Sequence, residues 1–196
     1  MIDISYRPAR STDAAAIAQL TMIAADGLVD FLLADLVPNT SSEELLSSLI
    51  AQEQGEASYR NTEVAVMVEQ VIGIAQSYAA TRHRITDEMR DFLPAERLEH
   101  LTDFFNSRVE DSWFLDTLAV APAYQGQGIG RQLIERVKQQ ARDQGYPSVS
   151  LIAWADNQDA IRLYQRQEFQ PVKSIQVTPH PLLPHSGAIL FNCRLS

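Results

Sequence analysis

The stretch Tyr124–Leu133, YQGQGIGRQL, places glycines at alternate positions, Gly126, Gly128 and Gly130, and then runs at once into a helical pattern. Leu133, Ile134, Val137 and Ala141 recur at the spacing of one helix face, so a helix is expected over Gly130–Gln144. Gly145 stands where a left-handed C-terminal cap is wanted, and Pro147 follows to stop the helix. Upstream, Trp113–Val120 reads as a strand. The glycines therefore lie between a strand end and a helix start, where unpaired backbone donors face outward. Side chains there would shield the amides, so glycines let an anion such as a phosphate approach within hydrogen-bond distance, aided by the helix dipole. The plainer reading is a turn that tight packing alone requires.

Working outward, Val149–Trp154 is the next strand, and a strand, helix, strand unit needs the right-handed crossover that makes its strands parallel. Asn157–Arg166 reads as a short helix, and Phe169–Val177 and Ala188–Leu195 close the chain as strands. Toward the N-terminus, Ile2–Tyr6 alternates as a strand. Ser11 or Thr12 then opens a helix with Ile17, Leu20 and Ile23 or Ala24 on one face. Gly27–Leu36 and Thr40–Gln54 are expected as helices, the second opened by Thr40 with Glu43 at the spacing of a capping box. Glu63–Val68 and Val71–Tyr78 form an expected hairpin across Glu69 and Gln70, although the preferred glycine turn is missing. Between Thr81 and Asp111 the chain is charged and irregular. One helix is expected there, with Pro94 at its first position and Leu98, Leu101 and Phe105 as its apolar stripe. The fold class is mixed α/β, read as one domain over residues 1–196 with an insertion at about 81–111.

Composition narrows the function classes. The net charge is −9 and the only lysines are Lys138 and Lys173, which speaks against a nucleic-acid partner. Cys193 is the single cysteine, alternating with Ile189, Phe191 and Leu195 as a core residue does. No intramolecular disulfide is available, and no cysteine and histidine cluster has zinc spacing, so no metal is expected. No basic segment followed by an apolar run opens the chain, and no run nears the ~18 apolar residues that span a bilayer. A cytoplasmic protein without membrane contact is expected. His83, His100, His180 and His185 show no triad or metal spacing.

Two nucleotide motifs fail at the glycine loop. A P-loop needs lysine and then serine or threonine after its last glycine, and Gly130 is followed by Arg131 and Gln132. A dinucleotide fingerprint needs another glycine register. Gln125-Gly126-Gln127-Gly128-Ile129-Gly130 instead resembles the cofactor signature of the GNAT acyltransferase superfamily, glutamine or arginine, two residues, glycine, one residue, glycine or alanine. LDTLAVAPAY before the loop, and Asn157, Ala160, Leu163, Tyr164 and Phe169 after it, extend the resemblance from about Leu115 to Phe169. Two features depart from the family pattern: Glu168 replaces the glycine that usually precedes this phenylalanine, and the connection from Ala80 to Ser112 is long. Glu168 would meet a steric cost at a positive φ.

The resemblance implies a central mixed, mostly antiparallel sheet flanked by helices, with a helical insertion between the third and fourth strands. It also implies N-acetyl transfer from acetyl-CoA to a primary amine of a small molecule or peptide, by direct attack in a ternary complex. Backbone amides from Gln125 through Gly126, Gln127, Gly128, Ile129 and Gly130 to Arg131 would hold the pyrophosphate, with the Arg131 side chain adding charge. Leu118 and Val120 would pair their backbone with the pantetheine arm. Tyr164 would protonate the departing thiolate or simply pack, and Asn157 would bond the pantetheine or simply cap its helix. Alternation puts Asp116 on the face of Leu118 and Val120, as one candidate base beside Glu110, Asp111 or water. The alternatives are a noncatalytic acyl-CoA-binding sensor, or an interaction module using the insertion as its contact surface; read by itself, the insertion is either a charged surface excursion or a homodimer contact through Leu98, Leu101 and Phe105.

Overall fold

The computed structural model describes residues 4–195. Its seven strands form one mostly antiparallel sheet flanked by helices, in the order β1-β2-β3-β4-β5-β7-β6. The strands are β1 Ser5–Pro8, β2 Thr62–Met67, β3 Gln70–Ala79, β4 Ser112–Val120, β5 Ser148–Trp154, β6 Gln170–Gln176 and β7 Gly187–Arg194. The helices are α1 Ala14–Ala25, α2 Leu28–Leu33, α3 Ser42–Ile50, α4 Asp87–Phe92, α5 Ala95–His100, α6 Thr102–Asn106, α7 Ile129–Asp143 and α8 Gln158–Arg166. The chain divides into two compact units, Met1–Ser77 with Asp116–Val137, and Tyr78–Leu115 with Lys138–Ser196, so β3, β4 and α7 each contribute residues to both.

In the first unit, the expected strand Ile2–Tyr6 lies partly outside the described residues, and β1 runs on to Pro8, which an edge strand tolerates. The start of α1 differs from the sequence reading. Ser11–Asp13 make a single 3-10 turn, and Asp13 anchors the entry: its carboxylate accepts the Arg10 amide at 2.7 Å and the Arg7 guanidinium at 2.7 and 3.0 Å. Ile17 and Leu20 are buried as expected, whereas Ile23 is half exposed and Thr21 takes an inward position. The capping box of α3 exists one residue later than expected. Ser41 Oγ accepts the Glu44 amide at 3.2 Å, and the Glu44 carboxylate accepts the Ser41 amide at 2.8 Å.

The hairpin β2–β3 forms, turning at Val68 and Glu69 with φ of 46° and 66°. A two-residue turn of this kind needs positive φ at both central positions, and a β-branched residue is strained there. Farther along β3 the register slips, Ala65 facing Gly73 and Val66 facing Val71, so Ile72 bulges out. The Ile72 carbonyl accepts the Ala121 amide at 2.8 Å. Next to the bulge, a Cβ on Gly73 would lie 3.2 Å from the Ala119 carbonyl oxygen, 3.2 Å from Ile129 and 3.3 Å from Leu133. A residue without a side chain lets these backbones and the first turns of α7 come this close without displacing either.

In the second unit, β4 and β5 pair in parallel from Ser112↔Ser148 to Leu115↔Leu151, as the crossover through α7 requires. β5 and β6 each pair antiparallel with β7. Gly145, at φ 80°, closes α7: the Tyr146 amide reaches back to the Ala141 carbonyl and the Gly145 amide to the Arg142 carbonyl, both at 2.9 Å. The insertion holds three short helices rather than one, and Pro94 precedes α5 instead of opening it. Leu98 and Leu101 are buried in the chain's own core, while Phe105 is partly exposed. His83 stacks on Phe114 at 4.1 Å, meets Phe104 edge-on and lies tilted against Phe105. The α8 helix ends on Glu168 at φ 66°, with the Glu168 amide bonded to the Gln165 carbonyl and the Phe169 amide to the Tyr164 carbonyl, both at 3.1 Å. The edge contact of Tyr164 and Phe169, 5.9 Å between ring centres, seals this closure and helps offset the left-handed glutamate.

Three stability measurements check these points. Arg7 holds the Asp13 carboxyl below its ordinary value of 3.8, so its stabilisation is complete above that pH and is lost as pH falls toward the lower folded value. Asp13→Asn should lower unfolding free energy by about 2 kcal/mol at neutral pH and by progressively less in acid, read by denaturant titration. Gly73→Val should cost about 2 kcal/mol or more through overpacking, seen as a drop in Tm. Glu168→Gly should raise stability by about 1 kcal/mol, because glycine removes the left-handed penalty.

Candidate active site

Within the first unit, the end of β4 and the loop after it carry most of the residues singled out from the sequence. Along β4, Ser112 and Phe114 are buried, Asp116 is exposed, and Leu118 and Val120 are partly open, so this sheet face loosens from Asp116 onward. The pairing with β5 reaches only as far as Leu115. Asp116 Oδ2 accepts the Thr117 hydroxyl at 3.1 Å. The loop itself is pinned at its start, where Gln125 Nε2 donates to the Val120 carbonyl at 3.0 Å.

Gly126 and Gly128 have φ of 75° and 81°, while Gly130 lies inside α7. The first two therefore need glycine for backbone conformation, and a Cβ at either meets nothing within 4 Å. Residues 125–128 are exposed, and Arg131 is exposed beside them. The Gln132 amide bonds the Gly128 carbonyl at 3.1 Å, which leaves the preceding amides of the helix end directed outward. An open, donor-rich helix entry of this sort suits the phosphates of a nucleotide-like ligand, so the pyrophosphate reading is compatible with the residues present. Buried Ile129 and Leu133 fix this end of α7 from below, against Gly73.

Asn157 and Tyr164 belong to the second unit. Asn157 Oδ1 accepts the Ala160 amide at 3.1 Å and so caps α8. Tyr164 is buried, its ring against Phe169 and Phe191, and burial pushes its pKa up to about 12. Among the described residues its hydroxyl has no hydrogen-bond partner in the chain, an unusual condition for a buried tyrosine and one that suits a ligand-facing phenol.

Two features of the second unit carry no signal in the sequence. His185 Nδ1 lies 2.9 and 3.0 Å from the two carboxylate oxygens of Asp156, donating its proton to them, and its ring stacks on Trp154 at 4.4 Å. The partners are 29 residues apart, a separation that no motif encodes. Lys138 is buried and donates to the Gln167 carbonyl at 3.1 Å. On the amphipathic pattern alone it reads as one more polar residue of α7. Among the described residues, no group of three or more histidine, cysteine or carboxylate side chains is placed to hold a metal ion, and no helix is long and apolar enough to cross a membrane.

Residues 97–169, which contain the loop, α7 and α8, match the model of the acetyltransferase (GNAT) family. A mycothiol acetyltransferase of Jonesia denitrificans is 44% identical over 59 residues, 30% of this chain, and the match spans 19% of that protein's own length. Among solved structures, an acetyltransferase superposes with a TM-score of 0.71 at 24% identity, covering 98% of this chain and all of that one. The N-acetyltransferase of Staphylococcus aureus Mu50 does so with a TM-score of 0.72 at 18% identity, covering 96% and 99%. Residues 97–169 thus carry the sequence pattern of the acetyltransferase (GNAT) family, and the fold of solved acetyltransferases extends over nearly the whole chain.

Proposed function

We propose that the protein is an N-acetyltransferase that binds acetyl-CoA, the co-substrate of the family that residues 97–169 match, and moves the acetyl group to a primary amine within a ternary complex. The observation that carries this reading is the exposed glycine loop at the start of α7, left-handed at Gly126 and Gly128 with open space above both. In it, the amides of Gln125–Arg131 hold the pyrophosphate, the Arg131 side chain adds charge, and the backbone of Leu118 and Val120 lines up the pantetheine arm. Asn157 keeps its Oδ1 on the helix cap and offers its amide protons to the same arm. Bound in this way, acetyl-CoA supplies an activated thioester.

Holding both reactants in place removes most of the entropic barrier, so no covalent enzyme intermediate is needed. Tyr164 donates its hydroxyl proton toward the sulfur as negative charge gathers there. Its pKa of about 12 lies well above that of an ordinary thiol, about 8.5, and complete transfer would run uphill by roughly 5 kcal/mol. The phenol therefore works chiefly as a hydrogen-bond donor that stabilises the leaving sulfur. Asp116, exposed on the same β4 face as Leu118 and Val120, takes the proton that the attacking amine loses, directly or through water.

The deciding assay follows thiol release from acetyl-CoA across a panel of primary amines, beside calorimetric titration of acetyl-CoA alone. Amine-dependent release is expected. Binding without release would leave a noncatalytic acyl-CoA sensor, and absence of binding would remove the pyrophosphate reading of the loop. Tyr164→Phe should cut kcat about 100-fold and leave the acetyl-CoA Kd within about threefold. In the unsubstituted protein, kcat should hold through pH 10, where an ordinary tyrosine would lose its proton, because the acid form persists until pH nears 12.

A further inference from the structure

The last turn of α8 is held by an unusual set of groups. The Leu163 and Tyr164 carbonyls both accept the Gln167 amide, the Tyr164 carbonyl also takes the Phe169 amide, and the Gln165 carbonyl takes that of Glu168. The Arg166 carbonyl accepts the Gln167 side-chain amide at 3.3 Å. The carbonyl of Gln167 itself, one residue past the helix, turns inward to side chains. Lys138 Nζ donates to it at 3.1 Å and the Cys193 thiol approaches it at 3.7 Å. Lys138 comes from α7 and Cys193 from β7, so three elements converge on this one oxygen. The lysine is 5% exposed and its Nζ also lies 5.7 Å over the Phe169 ring, whose edge packs on Tyr164.

Burying a lysine is costly unless its ammonium meets strong acceptors or an aromatic face. A helix C-terminus is such an acceptor, since its carbonyls carry the negative end of the macrodipole. An apolar residue at 138 would fill the same core position without that desolvation, so the lysine's contribution lies in where it fixes the end of α8. What that end carries is Tyr164. The phenol's backbone carbonyl is tied to Gln167 and Phe169, and its ring leans on Phe169, both of which Lys138 touches. We propose that Lys138 is a positioning residue for Tyr164, setting the phenol against the reacting sulfur through the Gln167 carbonyl and the Phe169 ring. This rests on the acid role assigned to Tyr164 above.

The test is a double-mutant cycle on the full chain, with acetyl-CoA and whichever amine the panel identifies. Lys138→Met keeps the length and apolar stem of the side chain and removes the donor. It should lower kcat about tenfold while the acetyl-CoA KM stays within about twofold, and in a Tyr164→Phe background the same change should have no further effect on kcat beyond about twofold. Lys138→Arg keeps charge and donor and should recover kcat to within about threefold of the parent. Equal losses in both backgrounds, with Tyr164→Phe itself strongly impaired, would overturn the positioning role and leave the Tyr164 reading intact. A Tyr164→Phe protein with full kcat would overturn both. If Lys138→Met does not fold, Lys138→Gln, which keeps a polar head without the charge, takes its place in the cycle: a kcat loss present with Tyr164 and absent with phenylalanine supports the proposal, and an equal loss in both or no loss in either overturns it.

Discussion

Everything at the loop depends on there being no side chain at Gly73. The bulge at Ile72 turns its carbonyl to the Ala121 amide, and the vacant Cβ position next to it admits the Ala119 carbonyl, Ile129 and Leu133. That close approach sets where β4 ends and where α7 begins. The loop between them must then reverse within a few residues, and it does so by going left-handed twice. Glycine is thus required in two ways a few residues apart in space: at 73 because there is no room, and at 126 and 128 because of backbone conformation, with room to spare. The second condition is the one that leaves amides open to a ligand.

A different logic holds Tyr164. Its helix ends on a strained glutamate, sealed by an aromatic contact and by a buried lysine reaching over from α7. Polar and charged groups so placed contribute less to net stability than to fixing one geometry, because each leaves an unpaired partner behind if the helix end shifts. The pairing of His185 with Asp156 under Trp154 does the same at the other end of α8, next to the Asn157 cap. In the role proposed for Tyr164, a phenol that must stand at a fixed distance from its target is well served by a helix restrained at both ends.

Much of this was legible in the sequence because it is local. The β4–loop–α7–β5 unit, the Gly145 cap, the Asn157 cap and the cost at Glu168 all follow from residues a few positions apart, and the structure agrees within a residue or two. The misses come from side-chain contacts that spacing and periodicity do not encode. Asp13 displaced Ser11 and Thr12 as the anchor of α1 because Arg7, on β1, reaches it. The insertion forms three helices, and His83 near its start stacks on Phe114 and meets Phe104 and Phe105, a tertiary contact that the apolar spacing does not encode. Gly73 and Lys138 look ordinary in a strand and an amphipathic helix. Only the tertiary arrangement shows what each is next to.

The hairpin β2–β3 turns on Val68 and Glu69, residues that oppose the conformation they hold, and Val68 stands 90% exposed with nothing to pack on. Such a turn adds no stability of its own to the hairpin, because closing it costs free energy that the ladder beside it must offset. β2 lies between β1 and β3, and β3 between β2 and β4, so the hairpin is held by the sheet on both of its sides rather than by its turn.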